Sequence, residues 1–348
     1  MTKMTINPDR RQEIKKIVLS ALQHVPEPSL PLKIKTICKS FSNIRLIPFS
    51  IHMKRHNLSY EEMKSYCGTS DSCADYYTTY NKYIIYYNDI DSHNIINSNR
   101  YRWNIAHELG HILLEHHKTN EKTRIFRSSL SNQEYDYFEA EADYFAQLIL
   151  VPHVVLYAFK IKNSSQLKSL CRISAPAANR RFYAYQQWIK NINGNDEYDK
   201  PLFHLYYNFI YKKQCNTCNA KILQKNGKYC PICGQKTLQW GDGKMIYEKL
   251  NTYDNGKLKE CPICENEETI IAGSRCQICG TYLVNNCTLD DCEYSTTELP
   301  SNARYCPICG SESTFYRNGF LKEWNFKEQI SSGFMSVPDG IDDELPFS

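Results

Sequence analysis

The stretch IAHELGHILLEHH, residues 105–117, holds four histidines and two glutamates in thirteen residues. His107 and His111 bracket Glu108 in the pattern H-E-x-x-H. On a helix, residues four apart lie about 6 Å apart along the axis and about 40° apart around it, so both imidazoles can reach one ion. Zinc takes borderline-soft ligands, and a catalytic zinc keeps one position for water. Glu108, between the two histidines, is placed to take a proton from that water. Ile105, Leu109, Ile112 and Leu113 supply apolar cover for a buried helix. Gly110 costs roughly 1 kcal/mol against Ala in a helix interior, which predicts a close approach by a neighbouring helix.

A third ligand is needed. In the metzincin pattern H-E-x-x-H-x-x-G-x-x-H the last histidine falls at His117, but the glycine that would turn the chain back is Leu114 here. With leucine the helix is expected to run on, carrying His117 about 9 Å further along the axis and roughly 120° round from His111. No methionine stands between Met63 and Met245 to make a Met-turn. His116 and His117 are therefore read as solvated residues at a helix end, where cations suit the dipole. The better donor is EAEADYFAQLILVP, residues 139–152. Glu139 and Asp143 share a helical face, so Glu139 can bind the ion while Asp143 holds a liganding imidazole by its second N–H. Glu141, about 200° round from Glu139, is the competing ligand. Ala142 and Ala146 are small enough to meet Gly110.

These two motifs, NIAHELGHILLEHH and EAEADYFAQLILVP, resemble the ImmA/IrrE family of zinc metallopeptidases over roughly residues 30–190. The resemblance implies a gluzincin-like domain with His107 and His111 as ligands, Glu108 as base and Glu139 as third ligand. It also implies a protein substrate, typically a helix-turn-helix repressor cleaved to switch on a mobile element or a stress response. The helices in ISAPAANRRFYAYQQW fall where such proteins contact the repressor. Val151 departs from the commoner methionine. A donor to the tetrahedral oxyanion is also required; Tyr135, Tyr137 and His153 are candidates. The rival reading, from a different class, is a non-proteolytic regulatory or binding protein whose H-E-x-x-H site is a sensory or structural metal site.

The chain has sixteen cysteines. Four stand early, at Cys38, Cys67, Cys73 and Cys171, and are read as buried thiols, with Cys67 and Cys73 on a polar loop a candidate redox or metal sensor. Twelve crowd between Cys215 and Cys309 as paired turns: Cys215 and Cys218 before Cys230 and Cys233; Cys261 and Cys264 before Cys276 and Cys279; Cys287 and Cys292 before Cys306 and Cys309. The gaps between paired turns are eleven, eleven and thirteen residues. A C-x-x-C turn aims two thiolates at one ion, so the array predicts three structural zinc sites, in ribbons too small to fold without metal. With the catalytic site this makes four zinc ions per chain. A thioredoxin-like role lacks its βαβ context. Zinc ribbons bind nucleic acid or protein, and the fold does not say which.

The elements that must position these groups follow from periodicity and punctuation. Residues 9–24 read as an amphipathic helix with Ile14, Ile17, Val18 and Leu22 on one face. A short helix follows at 32–41, then a strand in NIRLIPF. A helix in SYEEMKSYCG has Ser59 as N-cap and Gly68 as stop. ADYYTTYNKYIIYYND suggests a β-hairpin. Two motif helices come next, the second ending near Pro152, and then two helices broken at ISAP. The expected architecture is α+β: a small antiparallel sheet with the H-E-x-x-H helix and a helical bundle over 1–195, a linker at 196–214, ribbons at 215–240, 241–284 and 285–325, and an acidic tail at 326–348.

With 348 residues and 42% hydrophobic content the chain can bury a core. A net charge of +4 is too weak to argue nucleic-acid binding by itself, which leaves the ribbons as the route to a nucleic acid. The N-terminus lacks the h-region of a secretory signal, and no run of about 18 apolar residues offers a membrane span. The expectation is a cytoplasmic protein with no membrane partner, in which clustered cysteines hold metal.

Overall fold

The computed structural model describes residues 5–90, 100–119, 131–192 and 197–325. The acidic tail expected at 326–348 lies outside the described residues. The chain divides into two compact units, Met1–Tyr211 and Lys212–Ser348.

The first unit opens with α1 (Pro8–Gln23), whose first turn is capped by the Asn7 side chain and whose inner face buries Ile14, Val18, Ala21 and Leu22. α2 (Ile34–Ser40) buries Ile34, Ile37 and Cys38. β1 (Ile44–Pro48) leads directly into α3 (Phe49–His56), a helix in a stretch to which the sequence reading assigns no element. α4 (Tyr60–Cys67) has a full capping box between Ser59 and Glu62 and ends on Gly68 at φ 70°, as the sequence predicts. β2 (Ser72–Tyr77) and β3 (Lys82–Tyr87) form the expected hairpin, its turn closed by Asn81 at φ 47°.

The sheet order is β1-β3-β2. β2 and β3 are antiparallel, with Ser72 opposite Tyr87. β1 runs parallel to β3, with Ile44 opposite Tyr83. The sheet is thus mixed rather than antiparallel. β3 lies between β2 and β1, antiparallel to the first and parallel to the second.

α5 (Arg100–Leu113) and α7 (Asn132–Leu150) are the two motif helices, with the single turn α6 (His116–Thr119) after the first. α8 (His153–Ala158), α9 (Ser164–Cys171) and α10 (Ala175–Lys190) follow; Arg172, at φ 47°, makes the break at ISAP. α5 is pinned by Arg102, whose buried guanidinium donates to the carbonyls of Leu32, Cys171 and Arg172 at 2.8–3.3 Å. The segment expected as a linker at 196–214 carries α11 (Asp199–Leu205) and α12 (Tyr207–Tyr211). Leu202, Tyr206, Phe209 and Ile210 bury in the core of this unit, so its apolar spacing outweighs the polar run before it. Cys38 and Cys171 are buried thiols, as expected, and burial pushes each up to about 12. Cys67 and Cys73 are not thiols: a disulfide joins the end of α4 to β2.

The second unit is poor in regular structure. β4 (Lys212–Cys215) pairs antiparallel with β5 (Lys221–Leu223) and β6 (Leu238–Trp240). α13 (Thr314–Arg317) is one turn, capped by Ser313. The ribbons are not beads on a string. The hexapeptide YCPICG occurs twice, at 229–234 and 305–310, and the two copies pack reciprocally. The backbone N–H groups of Lys228 and Tyr229 donate to the Pro307 carbonyl at 2.8 and 2.9 Å, and those of Arg304 and Tyr305 donate to the Pro231 carbonyl at 2.7 and 3.0 Å. Gly234 and Gly310 have φ of 71° and 83°, and each lies under the tyrosine ring of the other copy, where a Cβ would come within about 3 Å of ring carbon. The middle ribbon joins the third through Leu258, Leu283, Phe315 and Leu321.

Candidate metal centre and active-site cleft

α5 places His107 and His111 one turn apart, and α7 brings Glu139 across to them. Helix contact makes this possible. A Cβ on Gly110 would stand 3.1 Å from the Cα of Ala142 and 3.2 Å from its carbonyl oxygen, so the two backbones meet as closely as the glycine and the alanine allow. His107 Nε2 lies 3.0 Å from His111 Nε2 and 3.3 Å from Glu139 Oε2, and His111 Nε2 lies 3.5 Å from Glu139 Oε1. A tetrahedral zinc with bonds of about 2.0–2.1 Å separates its donors by about 3.3 Å. The three donors form a group that could hold such an ion.

The remaining atoms of these side chains are held. His107 Nδ1 is 3.1 Å from Asp143 Oδ1, where its N–H donates to the carboxylate; in the neutral ring that a metal ion requires, Nε2 is then bare. Burial works to lower the His107 pKa, but its bonds to Asp143 and Glu139 and the Glu108 charge raise it to about 10. Burial dominates at His111 and brings it down to about 3. Glu139 is partly buried, which alone would raise its pKa, yet the two imidazoles hold it well below the carboxylate range.

Glu108 does not join this group. Its carboxylate accepts a hydrogen bond from the Ser72 hydroxyl at 2.9 Å, at the start of β2. It shares with His107, His111, Glu139 and Asp143 a cleft of about 520 Å³, which Trp103 and Tyr135 also line. Of the three oxyanion-donor candidates, Tyr135 faces the cleft. Tyr137 bonds instead to Glu141, and His153 packs against Tyr185 and Trp188.

Residues 62–183 match the family model Peptidase_M78, described as the IrrE N-terminal-like domain. This stretch is a Peptidase_M78 domain. The match takes in the hairpin, both motif helices and the first half of α10, and leaves α1 to α3 and the twelve-cysteine region outside. No curated protein matches the chain.

Two histidines of the Peptidase_M78 domain stand otherwise than the sequence reading has them. α5 ends at Leu113, and Glu115 takes φ 60°, so the helix does not run on through Leu114. The turn carries His116 and His117 inward, and both are only 1% exposed. His117 borders the cleft beside the rings of Tyr76 and Tyr83 and is outside the donor group. His116 packs on the ring of Phe138, and its Nδ1 lies 2.9 Å from His111 Nδ1. Glu141, the competing ligand, is also outside the donor group. Its carboxylate is 2.9 Å from His116 Nε2 and takes two bonds from Arg10 at 2.8 and 2.9 Å.

In the second unit the twelve cysteines form three groups of four: Cys215, Cys218, Cys230 and Cys233; Cys261, Cys264, Cys276 and Cys279; Cys287, Cys292, Cys306 and Cys309. Sulfur pairs in each stand 3.4–3.7 Å apart. Four thiolates about 2.3 Å from one zinc would be about 3.8 Å apart, so each group fits that ion. Asn219 and Glu265 take the left-handed backbone that Gly234 and Gly310 take at their own turns, so the knuckle geometry is kept where glycine is not. Among the described residues no helix is long and apolar enough to cross a membrane.

Proposed function

We propose that the protein is a zinc-dependent endopeptidase, with His107, His111 and Glu139 as ligands and Glu108 as general base, and with three structural zinc ions in the second unit. The observation that carries this reading is the placement of Glu108: it is outside the converged donors but inside their cleft, held by Ser72. A purely structural site has no use for such a carboxylate. Zinc, when bound, supplies Lewis acidity that polarises the scissile carbonyl. Glu108 takes the proton of the attacking water and passes it to the leaving amine. Asp143 keeps His107 oriented, and Tyr135 is the candidate donor to the oxyanion. The cleft opens to solvent at Asp143 and Glu139, which suits an extended stretch of polypeptide.

The family resemblance nominates a helix-turn-helix repressor as substrate. The ribbons would recruit that substrate or a nucleic acid. The test is incubation of the zinc-loaded protein with the helix-turn-helix repressor encoded nearest to it, with fragments read by mass spectrometry. A single internal cut is expected. An intact repressor at equimolar enzyme would remove this substrate assignment.

A further inference from the structure

We propose that His116 is a positioning residue of the metal site, and that α1 takes part in that site through Arg10. The inference rests on the reading of His107, His111 and Glu139 as metal ligands. Where the second nitrogen of His107 meets the carboxylate of Asp143, that of His111 meets the imidazole of His116. This makes the chain His111–His116–Glu141–Arg10, each link between 2.8 and 2.9 Å.

That chain fixes both tautomers. Glu141, paired with the Arg10 guanidinium, is ionised and can only accept. His116 must therefore carry its proton on Nε2, which leaves Nδ1 as an acceptor in the neutral ring. His111 must then donate from Nδ1, and its Nε2 is bare and turned toward His107 and Glu139. No other arrangement of neutral rings satisfies the bonds. The ring plane of His116 is set by stacking on Phe138, with centroids 4.3 Å apart and planes 15° from parallel.

The two orienting carboxylates differ in setting. Asp143 is 51% exposed, whereas His116 and Glu141 are each 1% exposed, so water competes for the first and not for the second. Arg10 lies 131 residues before Glu141 and outside the 62–183 segment that matches the family model. The imidazole of His116 thus extends the reach of a buried carboxylate by one ring, and the N-terminal helix anchors its far end.

The experiment measures zinc affinity on the full chain by competition with a chromophoric chelator, alongside thermal melting. His116→Phe keeps a ring on Phe138 and removes both nitrogens. It should weaken one zinc ion by about 10–100-fold and leave the cysteine-held ions unchanged. His116→Asn, whose amide oxygen can stand near the Nδ1 position, should recover most of the loss. Arg10→Met, which touches no ligand, should give a smaller loss of the same ion. Wild-type affinity in His116→Phe overturns the proposal, as does equal loss in the Phe and Asn variants. Should His116→Phe fail to fold, unchanged affinity in Arg10→Met overturns it. A wild-type chain with no zinc beyond the cysteine-held ions would instead remove the underlying metal-site reading.

Discussion

Gly110 and Ala142 bring α5 and α7 into backbone contact: a Cβ on the glycine would stand 3.1 Å from the alanine Cα. His107 and His111 lie on one side of this contact in α5, and Glu139 lies one turn before Ala142 in α7. The separation of the helices therefore sets the distance between donors. Gly110→Ala would gain about 1 kcal/mol of helix propensity but push against backbone, at a cost of about 1–3 kcal/mol. Zinc affinity at the histidine site should fall by about tenfold, while the cysteine sites keep theirs. Isothermal titration of the variant checks this.

The Ser72 hydroxyl donates to the Glu108 carboxylate at 2.9 Å. A hydrogen bond to a charged group contributes about 1.5–3 kcal/mol. Ser72→Ala should lower kcat about tenfold or more, with KM and zinc content near wild type. Loss of zinc in this variant would mean that Ser72 supports the ligands rather than the base.

The reciprocal packing of the two YCPICG turns couples the first and third cysteine groups. Cys306→Ser should remove the third zinc, and it should also weaken the zinc held by Cys215, Cys218, Cys230 and Cys233, because the Pro307 carbonyl and Tyr305 ring then lose their fixed position. Native mass spectrometry under graded chelator would show the two ions leaving together. Independent loss would make the packing incidental to metal binding.

Much of the site is legible in the sequence, because helical spacing is local. The i, i+4 histidines, the shared face of Glu139 and Asp143, and the small residues that let α5 meet α7 all follow from 3.6 residues per turn. The cysteine groups follow from paired turns. What escapes is tertiary. Glutamate has no strong preference for the left-handed region, so nothing local marks Glu115 as the turn that buries His116 and His117. The Arg10–Glu141 pair spans 131 residues. Ser72 is one serine among many until the hairpin brings it to Glu108. The reciprocal packing of the two YCPICG turns joins residues about 75 positions apart, which no local pattern marks. The disulfide between Cys67 and Cys73 depends on α4 and β2 meeting.

Glu108→Gln tests the central claim most directly, because it keeps the shape of the site and removes only the base. Zinc per chain and repressor cleavage are measured on the same preparation. Zinc should stay at about four per chain, while cleavage falls by about 10²–10⁴-fold. Cleavage at the wild-type rate by the fully metal-loaded variant would contradict the account.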